Sequence, residues 1–471
     1  MAALLFLMVT LMSHVLPSYQ LGGGCIAEQL HSREEIERTY QLHFPVSVSP
    51  SVQAVHLALQ GSTAMRVTWL NPTTWSSDAQ YTPVCMYGLT VTSLGVNATG
   101  EAYSYPDGMF LWVLNTAILN LTSLSSPTGV YYYRCGDPQF GWSSVLNFTL
   151  QSPNARNVTQ ANMESLLTNT VVEMPTAAPA IAVVADMGVK RGEDTMASIT
   201  KHVNTGEVQL LVHAGDISYA DKFGGDSHNN SEVWVEYMNL LQPIVSRVPY
   251  MVAPGNHEAQ FEFAAYLNWL KMPYEESGSA SPFWYSFDYM GIHFVAYSTE
   301  HDFSPNSTQY LWMEQDLKKA NQNRENVPWI MVFGHRPLYC TSIVCIERCD
   351  IEAPRYRANI EDLLYYQNVD IYMSGHNHQY ERSYPVYKKR IAQKDYTNSL
   401  SPVYIVNGAA GNPELNDPTF MPFVKWRAFD EATFDTGYLL MRPSRWQIQF
   451  EYILSKSNKV VDTFTMSKTP Y

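Results

Sequence analysis

The rhythm of apolar and polar positions changes near residue 177. From about residue 45 to 150, apolar residues come in short runs: AVHLAL, AMRVTWL, VCMYGLTV, FLWVLNTAIL, GVYYYRC and SSVLNFTL. Turn-forming clusters such as QGST, NPTTWSSD and SSPTG separate them. β-branched and aromatic residues dominate the runs, so each predicts a strand, and several strands at this spacing predict an all-β sandwich. Trp69 and Tyr131–Tyr133 are expected in its core or on a sheet face. Residues 151–176 are polar and carry Pro153 and Pro175. They read as a connector with a short helix near Met163–Leu167.

Beyond 177, apolar runs alternate with amphipathic stretches. IAVVAD, LLVHAGD, YMVAPGNHE, HFVAYS, WIMVFGH and DIYMSGHNH are runs that stop abruptly at polar residues. DTMASITKHV, SEVWVEYMNLLQPIV, TQYLWMEQDLKKAN and RANIEDLLYY carry helical periodicity. Such alternation predicts a layered α/β domain. After about residue 400, PVYIVNGAAG, GYLLMRP, RWQIQFEYIL and VVDTFTMS add further strands.

Composition narrows the function classes. The chain has 471 residues, 46% hydrophobic and 16% charged, and no stretch is both weakly hydrophobic and highly charged. A net charge of −14 argues against a nucleic-acid partner, which needs a basic face. It also repels phosphate groups, so a phosphate-handling site would need local positive charge such as a metal pair. The apolar run Ala2–Met12 is too short to span a bilayer and fits a signal peptide over residues 1–20. No later stretch reads as a membrane span. Six sequons, at Asn97, Asn120, Asn147, Asn157, Asn229 and Asn306, fit an exported glycoprotein. Six cysteines, Cys25, Cys85, Cys135, Cys340, Cys345 and Cys349, fit disulfides. The favoured pairing is Cys85–Cys135 plus one pair inside the Cys340–Cys349 segment.

The polar residues that end the runs form a constellation. Asp186 follows IAVVA, Asp216 follows LLVHAG, Asn256 and His257 follow YMVAPG, His335 follows WIMVFG, and His376 and His378 follow DIYMSG. Functional groups gather outside strand carboxyl ends in α/β sheets. Gly215, Gly255, Gly334 and Gly375 immediately precede several of them and allow sharp turns. Two aspartates, an amide and three histidines are the donor set of a transition-metal site. Two ions about 3.5–4 Å apart, bridged by a carboxylate, can clamp a phosphoryl group and activate water.

These motifs are Asp186-Met-Gly188, Gly215-Asp216-Ile-Ser-Tyr219, Gly255-Asn256-His257-Glu258, Gly334-His335 and Gly375-His376-Asn-His378. Together, and in this order, they resemble the calcineurin-like metallophosphoesterases and, within them, the purple acid phosphatases. The wider superfamily uses Asp-x-His in the first motif. Here Gly188 stands at the histidine position and Tyr219 follows the second aspartate, as in purple acid phosphatases.

The resemblance implies a fibronectin type III-like sandwich at 45–150 and a metallophosphoesterase domain at 177–471, built as a β-sandwich flanked by helices. It implies Fe(III) held by Asp186, Tyr219 and His378. A divalent ion (Zn, Mn or Fe(II)) would be held by Asn256, His335 and His376, with Asp216 as the bridge. The implied reaction is hydrolysis of small phosphate monoesters by a metal-bound hydroxide, with His257 giving the leaving group its proton and Glu258 orienting the loop. Plant members place two histidines after the fourth motif. This chain has none there, so Arg336 and Tyr339 are alternative phosphate contacts. His213 and His293 read as structural, and His202, His228 and His301 as surface or loop residues. The resemblance permits a homodimer and a secreted or lysosome- or vacuole-like destination. A phosphodiesterase of the same superfamily and a non-enzymatic glycosylated binding protein are the competing functions.

Overall fold

The computed structural model describes residues 52–71, 81–107, 110–124, 129–151, 178–223, 230–343, 349–416 and 419–469. The expected signal peptide, the connector with its helix, and sequons Asn157 and Asn229 lie outside the described residues.

The first region is the expected sandwich. One sheet orders strands Gln53–Leu59, Ala64–Leu70, Phe110–Asn120 and Glu101–Asp107. The other centres on Val84–Gly88 and Val130–Asp137, where Cys85 and Cys135 face each other in register and form a disulfide. Trp69 and Tyr133 are fully buried. Two strands that the apolar pattern did not announce, Val96–Thr99 and Glu101–Asp107, are largely solvent-facing and so lack a continuous apolar face.

The sandwich shares its core with the α/β region. Strand Gln53–Leu59 lies against helix Ser231–Val245, and Ala54 and Val55 amides donate to Asn239 and Gln242 on that helix. The Tyr133 hydroxyl donates to the Ser246 carbonyl at 2.7 Å.

The second region is a pair of sheets. In the first, Tyr250–Ala253, Val208–Ala214 and Ala180–Val184 run parallel, and Gly437–Pro443, Gln447–Leu454 and Lys459–Ser467 continue antiparallel. In the second, Tyr285–Tyr289, Ile292–Ala296, Trp329–Phe333, Ile371–Ser374, Val403–Asn407, Tyr380–Ser383 and Arg427–Glu431 follow one another. Alternate residues of this sheet enter different cores. Phe294, Met331, Phe333, Ile371, Met373 and Ile405 join the main core, whereas Val295, Ile330, Val332, Tyr372 and Tyr404 pack with Met313, Leu317 and Ile360 of the covering helices. Burial on both faces explains why these strands read as unbroken apolar runs rather than alternating ones.

The helices Glu193–Asn204, Ser231–Val245 and Thr308–Gln322 fall where periodicity placed them. Ser307 caps the last by accepting from the Tyr310 amide. The fourth stretch differs. Its helical segment starts earlier, at Glu352, and passes through a π-turn at Arg357–Glu361. Pro354 is tolerated in the first turn, where an amide proton has no intrahelical acceptor. Arg427–Glu431, another unannounced strand, is half-buried throughout and has few apolar residues.

Candidate metal centre

The parallel strands of both sheets end at the same place, and the seven residues singled out by sequence gather there. Asp186, Asp216, Tyr219 and His376 all take left-handed backbone angles, with φ of 56°, 52°, 56° and 68°. Such angles are costly for residues with a Cβ and persist where surrounding structure fixes them. The preceding glycines are needed for close approach. A Cβ at Gly255 would lie 2.2 Å from Asp216 Oδ1, and one at Gly375 would lie 2.2 Å from Asp186 Oδ2.

The donors fall into two clusters. In the first, the Tyr219 hydroxyl lies 3.1 Å from Asp186 Oδ1 and 3.1 Å from His378 Nε2. Tyr219 occupies the space beside Gly188, whose added Cβ would stand 3.4 Å from the phenol ring. In the second, His335 Nε2 lies 2.9 Å from Asp216 Oδ2, 3.1 Å from Asn256 Oδ1 and 3.2 Å from His376 Nδ1. His335 Nδ1 faces the Ala214 carbonyl at 3.1 Å. That carbonyl can only accept, so in the neutral ring the proton sits on Nδ1 and Nε2 carries the lone pair. The buried Asp216 Oδ2 accordingly receives no hydrogen bond among the described residues.

Unshared electron pairs thus converge in a buried space, an arrangement that calls for cations. Asp216, His335 and His376 each offer an atom within 4.8 Å of the others. The donor chemistry of all seven residues fits a metal pair: hard oxygens on the Tyr219 side, an amide and imidazoles on the other. The local field agrees. Burial opposes charge on His335, but Asp216 and Asp186 outweigh it and raise its pKa to about 10. Burial likewise opposes ionisation of Asp216, yet His335 and His257 hold its carboxyl far below the usual range. A metal cation would take the place of such protons.

Surrounding groups hold the loops. Glu258 accepts from the amides of Asp216, Ile217 and Gly255, each at 2.9 Å, tying two ligand-bearing loops together. Burial raises its pKa to about 7, and Asp216 adds to that. His257 packs its ring, tilted by 38°, 4.3 Å from that of Tyr219 and turns Nδ1 to Asp221 Oδ2 at 2.6 Å. Its Nε2 faces Asp216 Oδ2 and Glu414 Oε2 at 3.7 and 3.8 Å. Burial works against a charge on His257, but Asp216, Asp221 and Glu414 raise its pKa to about 10.

Sequence reasoning missed Asp221, Glu414, Glu300 and Glu352. Asp221 was the most legible, two residues beyond Tyr219 in the same turn. The other three sit in loops and a helix start whose spacing carries no signal. Arg336 does reach the centre. Its guanidinium pairs with Glu300 and Glu352, with Nη1 2.9 Å from His376 Nε2 and Nη2 3.3 Å from Asn256 Oδ1. Tyr339 does not: its hydroxyl donates to Glu361 and accepts from the Lys389 amide, and its ring packs on Tyr404 and Trp426. His213 is a buried neighbour bonded to the Tyr250 hydroxyl at 2.8 Å, and burial lowers its pKa to about 3. The second disulfide, Cys340–Cys349, closes the loop beyond His335.

Comparison with known proteins agrees with this geometry. Residues 179–380 match the calcineurin-like phosphoesterase family. Residues 52–150 match the purple acid phosphatase N-terminal domain, and 401–463 the iron/zinc purple acid phosphatase-like protein C domain. The chain is 30% identical over 402 residues to acid phosphatase type 7 of Mus musculus, covering 80% of this chain and 82% of that protein. It is 29% identical over 406 residues to probable purple acid phosphatase 20 of Arabidopsis thaliana, covering 83% of each. Among solved structures, a purple acid phosphatase from yellow lupin (Lupinus luteus) seeds shares the fold, with a TM-score of 0.71 at 21% identity over 89% of this chain and 74% of that one.

Proposed function

We propose, from the premise that this chain belongs to the purple acid phosphatase family, that it hydrolyses small phosphate monoesters at an iron–divalent metal centre held by the seven converging residues. It is an acid phosphatase, and its family works through a dinuclear metal centre. The observation that carries the finer reading is the pairing of Gly188 with Tyr219. The phenol occupies the space beside the glycine and meets Asp186 and His378 within 3.1 Å. Asp186, Tyr219 and His378 would hold Fe(III), for which anionic oxygen donors are suited. Asn256, His335 and His376 would hold Zn, Mn or Fe(II), and Asp216 would bridge.

Bound there, the two ions supply a charge clamp for the phosphoryl oxygens and an acidified water. The chain's own part is positioning and proton transfer. Asp221 fixes the Nδ1 proton of His257, so Nε2 is the edge turned to the centre, and that edge serves as proton donor to the leaving oxygen. Arg336 reaches Asn256 and His376 at the rim, with its charge met by Glu300 and Glu352. Glu258 keeps the Asp216 and Asn256 loops in register.

Passage through the secretory pathway is supported by two disulfides, which persist in oxidising compartments. It is also consistent with exposed Asn97, Asn120 and Asn306 and a half-buried Asn147. Among the described residues, no helix is long and apolar enough to cross a membrane.

Metal analysis, visible absorption and paired monoester and diester assays in mild acid test this reading. The expected result is two metals per chain, a visible band that Tyr219→Phe abolishes, and faster monoester hydrolysis. A colourless oxidised, metal-replete chain, with iron content untouched by Tyr219→Phe, overturns the assignment. Faster diester hydrolysis would favour the phosphodiesterase alternative.

A further inference from the structure

We infer that Lys222 is a substrate-binding residue that takes hold of the phosphoryl group at the mouth of the centre, exchanging its carboxylate partner Glu414 for a phosphate oxygen. The inference rests on the phosphatase reading above and adds a contact to it.

A phosphate dianion approaching this chain meets an adverse field, since the net charge is −14. The ions would offset that field at the centre, but the approach to it calls for a cation that can turn to the substrate. Arg336 is poorly suited, because Glu300 holds its Nε at 2.9 Å and Glu352 its Nη1 at 2.6 Å. Lys222 is held differently. It ends the short helical turn Ala220–Lys222 that follows Tyr219, next to Asp221, the partner of His257. Among the described residues, its ammonium pairs with one carboxylate, Glu414 Oε1. The charges of Asp221 and Asp216 act on it as well.

Glu414 locates that ammonium. Its second oxygen lies 3.8 Å from His257 Nε2 and 3.9 Å from His378 Nε2. The ammonium therefore stands one carboxylate away from the edge that gives the leaving oxygen its proton and from a donor of the tyrosine side. Both side chains keep access to water, at 34% exposure for Lys222 and 29% for Glu414. A partly exposed ion pair is weak enough to exchange partners. An ammonium on a flexible stem can follow a phosphate oxygen where a clamped guanidinium cannot. Glu414 is not stranded by the exchange, because His257 still faces its other oxygen.

The test is inhibition of the metal-replete full-length chain by inorganic phosphate, with KM and kcat measured for a monoester. Lys222→Met should raise the inhibition constant and KM about tenfold or more, as loss of a charge-assisted hydrogen bond does, with metal content and the visible band kept. Lys222→Arg keeps a cationic donor and should stay within about threefold of wild type. Glu414→Gln separates a contact from mere neutralisation of Glu414. If Lys222 binds phosphate, adding Lys222→Met to Glu414→Gln should still weaken inhibition about tenfold. A double variant inhibited like Glu414→Gln alone means that Lys222 serves only Glu414, and overturns the inference. So does a Lys222→Met variant inhibited like wild type. If Lys222→Met does not fold, a crystal structure of the wild-type chain with phosphate decides. A phosphate oxygen within about 3.2 Å of Lys222 Nζ supports the inference, and an ammonium still on Glu414 alone overturns it. A metal-replete wild-type chain that hydrolyses no monoester and is blind to phosphate overturns the phosphatase reading and this inference with it. An active, phosphate-inhibited wild type with an indifferent methionine variant overturns the inference alone.

Discussion

The two sides of the centre share left-handed turns and close-approach glycines but differ in how their donors are oriented. On the tyrosine side, the geometry is written into the backbone. Asp186 and Tyr219 sit at left-handed turns, Gly188 leaves room for the phenol, and the donors meet one another directly. On the imidazole side, side chains from both sheets are oriented by partners outside the centre. Ala214 accepts from His335 Nδ1, while Arg336 and Glu352 lie against His376. A site shaped by backbone turns tolerates few substitutions in its loops. A site shaped by outer partners can be tuned one side chain at a time.

The contrast breaks at Asp216, which the proposed function assigns to both sides. Gly255→Ala puts a Cβ 2.2 Å from Asp216 Oδ1 and 2.5 Å from its amide nitrogen, against backbone that cannot move aside cheaply. The displaced carboxylate should release both ions. Turnover should fall by more than about a thousandfold, since the charge clamp and the nucleophile depend on the same pair. Metal analysis checks this: loss of one ion with the other retained would mean that the bridge is not shared.

His257→Ala sharpens the contrast by leaving both sides intact. The ring donates nothing to the seven-residue set and contacts Asp216 only at 3.7 Å. Metals and colour should persist while monoester turnover drops about 10²- to 10⁴-fold. The drop should shrink for substrates whose leaving group is a good anion and needs no proton. Equal losses for good and poor leaving groups would deny His257 its donor role.

The same contrast explains what the sequence made legible. Backbone-built features leave marks in a linear string: a glycine before a polar residue, an apolar run that stops, a glycine where relatives carry histidine. Asp186, Asp216, Tyr219, Asn256, His335, His376 and His378 were legible for that reason. Features built from outer partners leave none. Glu352 begins a helix segment and Glu414 lies in a loop more than a hundred residues from Asp221, and nothing in their spacing ties them to His376 or His257. Arg336 and Tyr339 were indistinguishable as candidates, because only packing shows that Tyr339 turns to Glu361. Strands with few apolar residues, such as Arg427–Glu431 and the buried Tyr380–Ser383, were lost because pattern reading detects apolar runs rather than pairing.

The smallest expected effect lies behind the imidazole side alone. His293 stands on the strand next to Trp329–Phe333, with Nδ1 2.6 Å from Asp288 and Nε2 2.9 Å from Asp316 of helix Thr308–Gln322. Burial opposes its charge, but the two carboxylates raise its pKa to about 9 from an ordinary 6.5. A group whose pKa is raised by folding stabilises the native state fully below its unfolded value and loses that contribution as pH rises through the folded one. The bridge should therefore be complete below about pH 6.5, where an acid phosphatase works, and fade towards pH 9. Its charge-dependent part amounts to about 3 kcal/mol at most. His293→Gln should lower stability by an amount that is largest in mild acid and shrinks as pH rises, read from denaturant melts across that range. Metal content should not change, because the bridge secures a helix against the sheet and touches no ligand. A stability difference independent of pH would mean that His293 acts by packing and that the carboxylates do not hold its proton.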